Sequence, residues 1–190
     1  MSLTQLSVRE ITEADLDPLL DYWYQASPEH MEQMGADASK LPPREEFRQG
    51  LQKQLSAPYP EKMAYAIIWL ADGYPVGHCN VNKIQYGEEA YMHLHLWNSE
   101  RRQRGMGRQL VKLSLPFFFN LLHLERIWCE PYALNPAPNR TLEKVGFTFV
   151  KRHTTIPGSL NFEQEVNRWV LEREDFLNQQ LEDYVDEQLG

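Results

Sequence analysis

The segment from residue 101 to residue 108 has the composition of an anion-binding turn. It reads Arg-Arg-Gln-Arg-Gly-Met-Gly-Arg and lies between a predicted strand and a predicted helix. Two glycines let the backbone turn sharply and approach a ligand without a Cβ in the way. The first amides of the following helix have no internal acceptor and lie at the positive end of the helix dipole. The pattern predicts a site for pyrophosphate, formed by Arg102, Gln103, Arg104, Gly105, Met106, Gly107 and Arg108. The alternative is a solvated basic loop.

Two neighbouring segments carry polar side chains on alternate residues, as the strands of an antiparallel hairpin do. In the second segment the polar residues are Glu89, Tyr91, His93, His95 and Trp97, and in the first they are His78, Asn80 and Asn82. A turn centred between Tyr86 and Gly87 pairs residues whose numbers sum to 173, so that His78 opposes His95. Because alternate residues of a strand face opposite sides, this register puts both polar sets on one face of the sheet. We call this face the polar wall and expect it to line a ligand cavity.

The titratable groups of the polar wall suit proton transfer. Glu89 is its carboxylate, and His93 and His95 have an ordinary pKa of about 6.5. The alternative is that these side chains only bond to one another and to the asparagines. Strand-spaced histidines without a clear carboxylate ligand are not typical of a metal site, and no metal is predicted.

The charge of the chain is unevenly distributed. The net charge is -8, and residues 172–190 alone contribute seven acids and one base. The rest of the chain is therefore close to neutral, whereas nucleic-acid-binding proteins are typically basic. No stretch approaches the ~20 apolar residues that span a bilayer, and residues 1–15 do not resemble a signal peptide. Cys79 and Cys129 lack the spacing of a metal or redox site, so we expect reduced cysteines and a cytoplasmic protein.

The periodicity of the chain predicts an α/β (α+β) fold in the order β-α-α-β-β-β-α-β-α-β-β. We expect a single domain over residues 1–175 with a mixed, mostly antiparallel sheet of about seven strands flanked by helices. Residues 176–190 are predicted to form an acidic amphipathic helix, packed on the domain or at an interface. An irregular stretch is expected from Gln25 to Pro43, and Pro116 predicts a kink or an early end near Leu115 in the helix after the glycine turn.

Two blocks of the sequence carry a resemblance to a known family. Arg102, Gly105 and Gly107 fit the pattern (Gln/Arg)-x-x-Gly-x-(Gly/Ala), and residues 135–147 read Asn-Pro-Ala-Pro-Asn-Arg-Thr-Leu-Glu-Lys-Val-Gly-Phe. Both blocks resemble the GNAT superfamily of N-acetyltransferases, most closely the ribosomal-protein N-terminal acetyltransferases and their relatives. Residues 168–175 also resemble the last strand of that branch, so the resemblance covers nearly all of the first 175 residues.

The resemblance implies acetyl-CoA as co-substrate and a primary amine as acceptor, with direct attack of the amine in a ternary complex. It also implies roles for single residues. The cofactor would be bound by residues 102–108, by Trp97 and Asn98 through their backbone amides, and by Asn135, Asn139 and Arg140. Glu89, His93 and His95 are the candidate bases that deprotonate the amine.

The chain departs from the family pattern at two informative positions. Pro138 replaces the usual serine, and Leu142 stands where many relatives have a tyrosine that protonates the leaving thiolate. The second departure leaves open a non-catalytic acyl-CoA sensor as the alternative function. A protein that binds RNA through the arginines of the turn is a third hypothesis, which the charge balance disfavours. The remaining expectations are a monomer or homodimer and no membrane partner.

Overall fold

The computed structural model describes residues 4–97 and 105–189. The strands are β1 Leu6–Glu10, β2 Ala64–Ala71, β3 Tyr74–Gln85, β4 Glu89–Leu96, β5 Arg126–Cys129, β6 Thr148–Thr155 and β7 Gln164–Glu172. The helices are α1 Leu16–Tyr24, α2 Pro28–Gln33, α3 Arg44–Ser56, α4 Met106–Leu121, α5 Pro136–Val145 and α6 Arg173–Leu189. None of the described helices has the length and apolar character needed to cross a membrane.

The strands form one sheet in the order β1-β2-β3-β4-β5-β7-β6. Neighbouring strands are antiparallel except for β4 and β5, which are parallel. A parallel pair needs a crossover connection, and α4 supplies it. The mixed, mostly antiparallel seven-stranded sheet predicted from the sequence is confirmed.

The main core lies between the sheet and α4. Leu110, Leu115, Phe118 and Phe119 of α4 are fully buried there with apolar residues of the middle strands. On the opposite face, Leu16, Leu19 and Leu20 of α1 are buried outside this cluster. The sheet therefore has helices on both faces, and the face that α1 covers is the one that carries the polar wall.

The early end predicted for α4 at Leu115 is wrong. The helix runs through Pro116 to Leu121. A proline in a helix interior removes a hydrogen bond, which favours an early end. Here the residues just after it, Phe118 and Phe119, are fully buried, and their burial outweighs that loss because each aromatic side chain removes a large apolar area from water.

The stretch from Gln25 to Pro43 is less irregular than expected, because it contains α2. Pro28 occupies the first turn of this helix, and the Ser27 side chain accepts a hydrogen bond from the amide of His30 at 3.2 Å. At the other end of the chain α6 begins at Arg173, three residues before the predicted start at residue 176.

Candidate active site

The hairpin of β3 and β4 has the register that the alternating polar residues predict. His78 pairs with His95, Asn80 with His93, and Asn82 with Tyr91. The register then shifts between Asn82 and Gln85, so that Gln85 pairs with Glu89. The polar wall is therefore confirmed along its middle, and an irregularity near the turn, which the sequence did not predict, separates Glu89 from that register.

The sheet opens between β4 and β5. The two strands pair only from Glu89↔Arg126 to Met92↔Cys129 within the described residues. After Cys129 the chain follows β7 instead, since the amide of Asn167 donates to the Pro131 carbonyl at 3.1 Å and that of Ala133 donates to the Glu165 carbonyl at 2.9 Å. We call the resulting gap, between residues 93–96 and residues 130–135, the wedge.

Backbone amides of β4 face the wedge. The Trp97 amide donates to the Val76 carbonyl of β3 at 2.9 Å. Amides along a strand point alternately to its two sides, so those of His93 and His95 also point to β3, and those of Leu94 and Leu96 point to the wedge. The Trp97 amide, predicted to meet the cofactor, is thus occupied within the sheet. The other predicted amide, that of Asn98, lies outside the described residues.

A cavity of about 430 Å³ lies on the polar-wall side of the sheet. Its polar lining includes His78, Asn80, Asn82, His93, His95 and Glu130, and its apolar lining includes Leu19, Trp23, Phe47, Leu51 and Leu55 from α1 and α3. Pro131, Tyr132 and Asn135, on the far side of the wedge, line the same cavity. The wedge and the cavity thus share lining residues and are connected.

The histidines of the polar wall are neutral, which differs from the sequence expectation of an ordinary pKa. Burial lowers the pKa of His93 to about 4 and that of His78 to about 3, and it holds the pKa of His95 well below its usual range. Burial acts this way because the charged imidazolium loses its hydration. At neutral pH these rings therefore accept as well as donate hydrogen bonds.

Neighbouring rings hold His95 and His78 in place. Its ring stacks on that of His78, with centroids 4.5 Å apart, and its Nδ1 lies 3.2 Å from the hydroxyl of Tyr22 in α1. The indole N–H of Trp97 donates to Nδ1 of His78 at 2.8 Å. That bond places the proton of His78 on Nε2.

His93 has a simpler environment. Its Nε2 lies 3.2 Å from the side-chain oxygen of Asn82. An Nε2–H that donates to this oxygen leaves Nδ1 with a lone pair. His93 also follows directly after the last β4 residue that pairs with β5, so its backbone is at the start of the wedge.

Glu89 lies at the opposite end of β4. One carboxylate oxygen accepts from the indole N–H of Trp128 at 2.9 Å and the other from the side chain of Gln85 at 3.3 Å. Glu89 lies four positions before His93 along the strand, a distance of about 13 Å between the two backbones. Glu89 is also not among the residues that line the cavity. This placement does not support its predicted role as the base.

Glu130, the residue after β5, is a site residue that the sequence patterns above do not identify. Its side chain is almost fully buried, lines the cavity and accepts from Nε of Arg168 at 2.6 Å. His153 lies 3.3 Å away on the same oxygen. A signal for it exists, because Arg126, Trp128 and Glu130 alternate with Ile127 and Cys129.

The glycine turn is described only from Gly105 onwards, and Arg102, Gln103 and Arg104 lie outside the described residues. Gly105 is the N-cap of α4 with a φ of 86°, in the region that favours glycine. Gly107 lies near Thr141 of α5, Met106 is buried and Arg108 is exposed. The helix begins at Met106, before the predicted start after Gly107, and its first amides lack helical acceptors.

The predicted cofactor residues of α5 have structural contacts. Asn135 caps the helix by accepting from the amide of Ala137 at 3.3 Å. Asn139 donates to the carbonyls of Tyr132 and Asn135, and its oxygen accepts from the side chains of Asn167 and Trp169 (3.2, 2.8, 2.9 and 3.0 Å). Arg140 is exposed, and Leu142 is fully buried in the main core.

The cysteines are buried free thiols. Burial raises the pKa of both, and the Cys129 thiol donates to the carbonyl of Met92 at 3.0 Å. A thiol held protonated in this way is a poor nucleophile. Among the described residues, no group of three or more His, Cys, Asp or Glu side chains is arranged to hold a metal ion.

Comparison with known families identifies the domain. Residues 5–148 match the model of the acetyltransferase (GNAT) domain. The chain belongs to the GNAT acetyltransferase family. No curated protein matches it in sequence.

Solved structures share the fold at low sequence identity. A spermidine N-acetyltransferase from Vibrio cholerae, in complex with CoA and spermine, is 17% identical, with a TM-score of 0.72 over 91% of this chain and 98% of that one. The ribosomal alpha-N-protein acetyltransferase RimL, in complex with coenzyme A, is 16% identical, with a TM-score of 0.72 over 92% and 97%. A dodecameric form of the Vibrio cholerae enzyme is 16% identical, with a TM-score of 0.71 over 92% and 98%.

Proposed function

We propose that the chain is an N-acetyltransferase that moves the acetyl group of acetyl-CoA to a primary amine in a ternary complex. The observation that carries the proposal is the wedge, which has two inward-facing amides, opens into a cavity and belongs to the same domain as a helix N-terminus of anion-binding type. Family membership and two CoA-bound structures of the same fold support it.

The described residues fit acetyl-CoA in two places. The first amides of α4, from Gly105 to Arg108, offer donors for the pyrophosphate. The amides of Leu94 and Leu96 offer donors for the pantetheine amides or for the thioester oxygen, because β5 does not pair with that part of β4. A donor preorganised in this way stabilises the negative oxygen of a tetrahedral intermediate.

The reaction is a single displacement. The amine nitrogen attacks the thioester carbonyl carbon, the C–N bond forms, and the oxygen becomes an oxyanion that the wedge amides bind. The C–S bond then breaks and CoA leaves as a thiolate. The proton lost by the amine goes to the base. The thiolate is protonated by solvent, because Leu142, at the position of the family's usual tyrosine, has no proton to donate and is fully buried.

His93 is the base in this proposal. It lines the cavity, stands at the start of the wedge and keeps a neutral ring nitrogen at neutral pH. His95 lines the same cavity, but its Nδ1 is engaged by Tyr22. Glu130, the residue after β5, lines the same cavity and accepts from Arg168 at 2.6 Å.

The cofactor half of the proposal is tested by a pair of glycine substitutions. Gly105→Glu puts a negative charge at the N-terminus of α4, and titration calorimetry should show CoA binding weakened by at least about tenfold. Gly73→Glu is the matched control. Gly73 also has a positive φ, 81°, and open space where a Cβ would stand, but it lies in the turn between β2 and β3.

Equal CoA affinity in the two variants would contradict the predicted pyrophosphate site. Release of free CoA in the presence of amines separates the enzyme from the alternative, a sensor that binds acyl-CoA without turnover. A chain that binds acetyl-CoA but releases no CoA with any amine is a sensor.

The proposal also includes a cytoplasmic location and a monomer or homodimer. The free, buried thiols of Cys79 and Cys129 support a reducing compartment. Light scattering on the eluting protein measures the assembly state, and a mass of three or more chains would contradict this part of the proposal.

A further inference from the structure

We propose that the acceptor carries its single amine on an apolar, uncharged body, and that polyamines are poor acceptors for this chain. The inference rests on the proposed function and concerns the same cavity. It separates this chain from the spermidine acetyltransferases whose fold it shares.

One side of the cavity is apolar. Trp23 of α1 and Phe47, Leu51 and Leu55 of α3 line it, and the three residues of α3 recur every four positions on one face of that helix. All four are only partly buried, so apolar surface remains open to a ligand. Covering such surface stabilises a complex by roughly 25 cal/mol per Å², which favours an acceptor with an apolar body.

The carboxylates of the cavity are already compensated. Among the described lining residues the only carboxylates are Glu10 and Glu130. Glu10 accepts from the hydroxyls of Tyr59 and Tyr65 at 2.8 and 2.7 Å, and its charge acts on the buried Lys62 nearby. Lys62 lines the cavity as well.

The second carboxylate has its own cation. Glu130 accepts from Arg168 at 2.6 Å and faces His153 at 3.3 Å. Glu130 thus has an arginine as its ion-pair partner, whereas Glu10 is held by two tyrosine hydroxyls with the Lys62 charge nearby. A polyamine brings two or more ammonium groups, and neither end of the cavity offers one of them an uncompensated counter-ion.

The rest of the polar wall is neutral. Asn80 and Asn82 are amides, and burial keeps His78, His93 and His95 uncharged at neutral pH. Neutral acceptors bind one amine well through hydrogen bonds. A second ammonium buried among them without a counter-ion costs several kcal/mol, because it loses its hydration.

The test compares two acceptors that differ by one amine. With acetyl-CoA at saturation, we expect kcat/KM for n-pentylamine to exceed that for 1,5-diaminopentane by at least about tenfold, or 1.4 kcal/mol. Equal values, or a preference for the diamine or for spermine, would overturn the inference while leaving the proposed function intact. Failure of every amine to release CoA would overturn the proposed function, and this inference with it.

A negative charge placed on the apolar side of the cavity should change the preference for pentylamine over diaminopentane. Leu51→Glu adds an uncompensated carboxylate to the cavity, and we expect it to narrow the pentylamine-to-diaminopentane ratio by several fold or to reverse it. Phe47→Glu, one helical turn away, repeats the test if Leu51→Glu does not fold. Leu177→Glu makes the same change at an exposed site on α6 and should leave the ratio as it is. An unchanged ratio in both cavity variants would contradict the charge argument.

Discussion

The histidines of the polar wall owe their properties to burial. His78 keeps 3% of its surface exposed and accepts a hydrogen bond from Trp97. Taken alone, a histidine on a strand is expected to titrate near pH 6.5. The sequence identifies these residues as candidates for proton transfer, but the extent to which their rings are buried could not be predicted from it.

This burial predicts a pH-dependent stability. The pKa of His78 is about 3 and that of His93 about 4 in the folded chain, against about 6.5 in the unfolded chain. Below pH 6.5 the unfolded chain therefore binds protons that the folded chain does not, and the free energy of unfolding falls as the pH decreases towards 4. We expect Tm, followed by circular dichroism, to drop by several degrees from pH 7 to pH 5.

A variant identifies the group responsible. His78→Gln keeps an acceptor for Trp97 and cannot titrate, so its Tm should depend less on pH in this interval even if it is lower at pH 7. His123→Asn replaces an exposed histidine and should keep the pH dependence of the unaltered chain. A Tm that is flat from pH 7 to pH 5 in the unaltered chain would show that these rings are not buried as neutral groups.

The choice of base predicts a difference between two variants of β4. His93→Gln should lower kcat by about a hundredfold, within the range for loss of a general base, with CoA affinity unchanged. Glu89→Gln should stay within about twofold, because Glu89 bonds to Trp128 at the other end of the strand. A larger loss of kcat in Glu89→Gln would return the role to the residue first selected from the sequence.

At the scale of elements, local patterns predict well and distant partners do not. The register of β3 and β4 follows from polar residues on both strands and a glycine turn between them. Glu130 was missed because its partners, Arg168 and His153, are 38 and 23 residues away along the chain. The apolar side of the cavity could not be predicted either. The sequence of α3 shows that Phe47, Leu51 and Leu55 share one face of the helix, but it does not show what that face contacts.

The last helix shows the same limit. The sequence places an apolar stripe along this helix, formed by Phe176, Leu177, Leu181, Tyr184 and Val185. In the structure the Phe176 ring stacks on that of Phe119 with centroids 4.5 Å apart, whereas the other four side chains are exposed. The periodicity predicts the helix correctly, but of its apolar stripe only Phe176 is buried against the domain.

A matched pair of substitutions measures this difference. Phe176→Ala should reduce the free energy of unfolding by about 3–5 kcal/mol, because it empties a packed aromatic site. Leu177→Ala, with half of the side chain exposed in the same helix, should change it by less than about 0.5 kcal/mol. Urea unfolding of both variants checks the contrast, and similar losses would mean that the helix packs elsewhere than on Phe119.

At the scale of the whole molecule, the net negative charge and the cavity lie in different regions. Most of the net negative charge comes from residues 172–190, while the two carboxylates of the described cavity lining each have a basic residue nearby. Net charge, read from the sequence, therefore describes the outer surface of this protein rather than its ligand. The fold class was predictable because the order of strands and helices along the chain follows from local periodicity, whereas the acceptor depends on side chains that meet only in three dimensions.

The short pairing between β4 and β5 has a mechanical consequence. Within the described chain, four residue pairs make up the strand pairing that joins the β1–β4 half of the sheet to the β5–β7 half. The pairing between β4 and β5 is thus interrupted at the wedge, where the two strands make no further backbone hydrogen bonds to each other among the described residues. A pantetheine arm bound there would pair with β4 as an added strand does and supply the missing hydrogen bonds. Bound co-substrate would therefore hold the two halves of the sheet together and stabilise the fold.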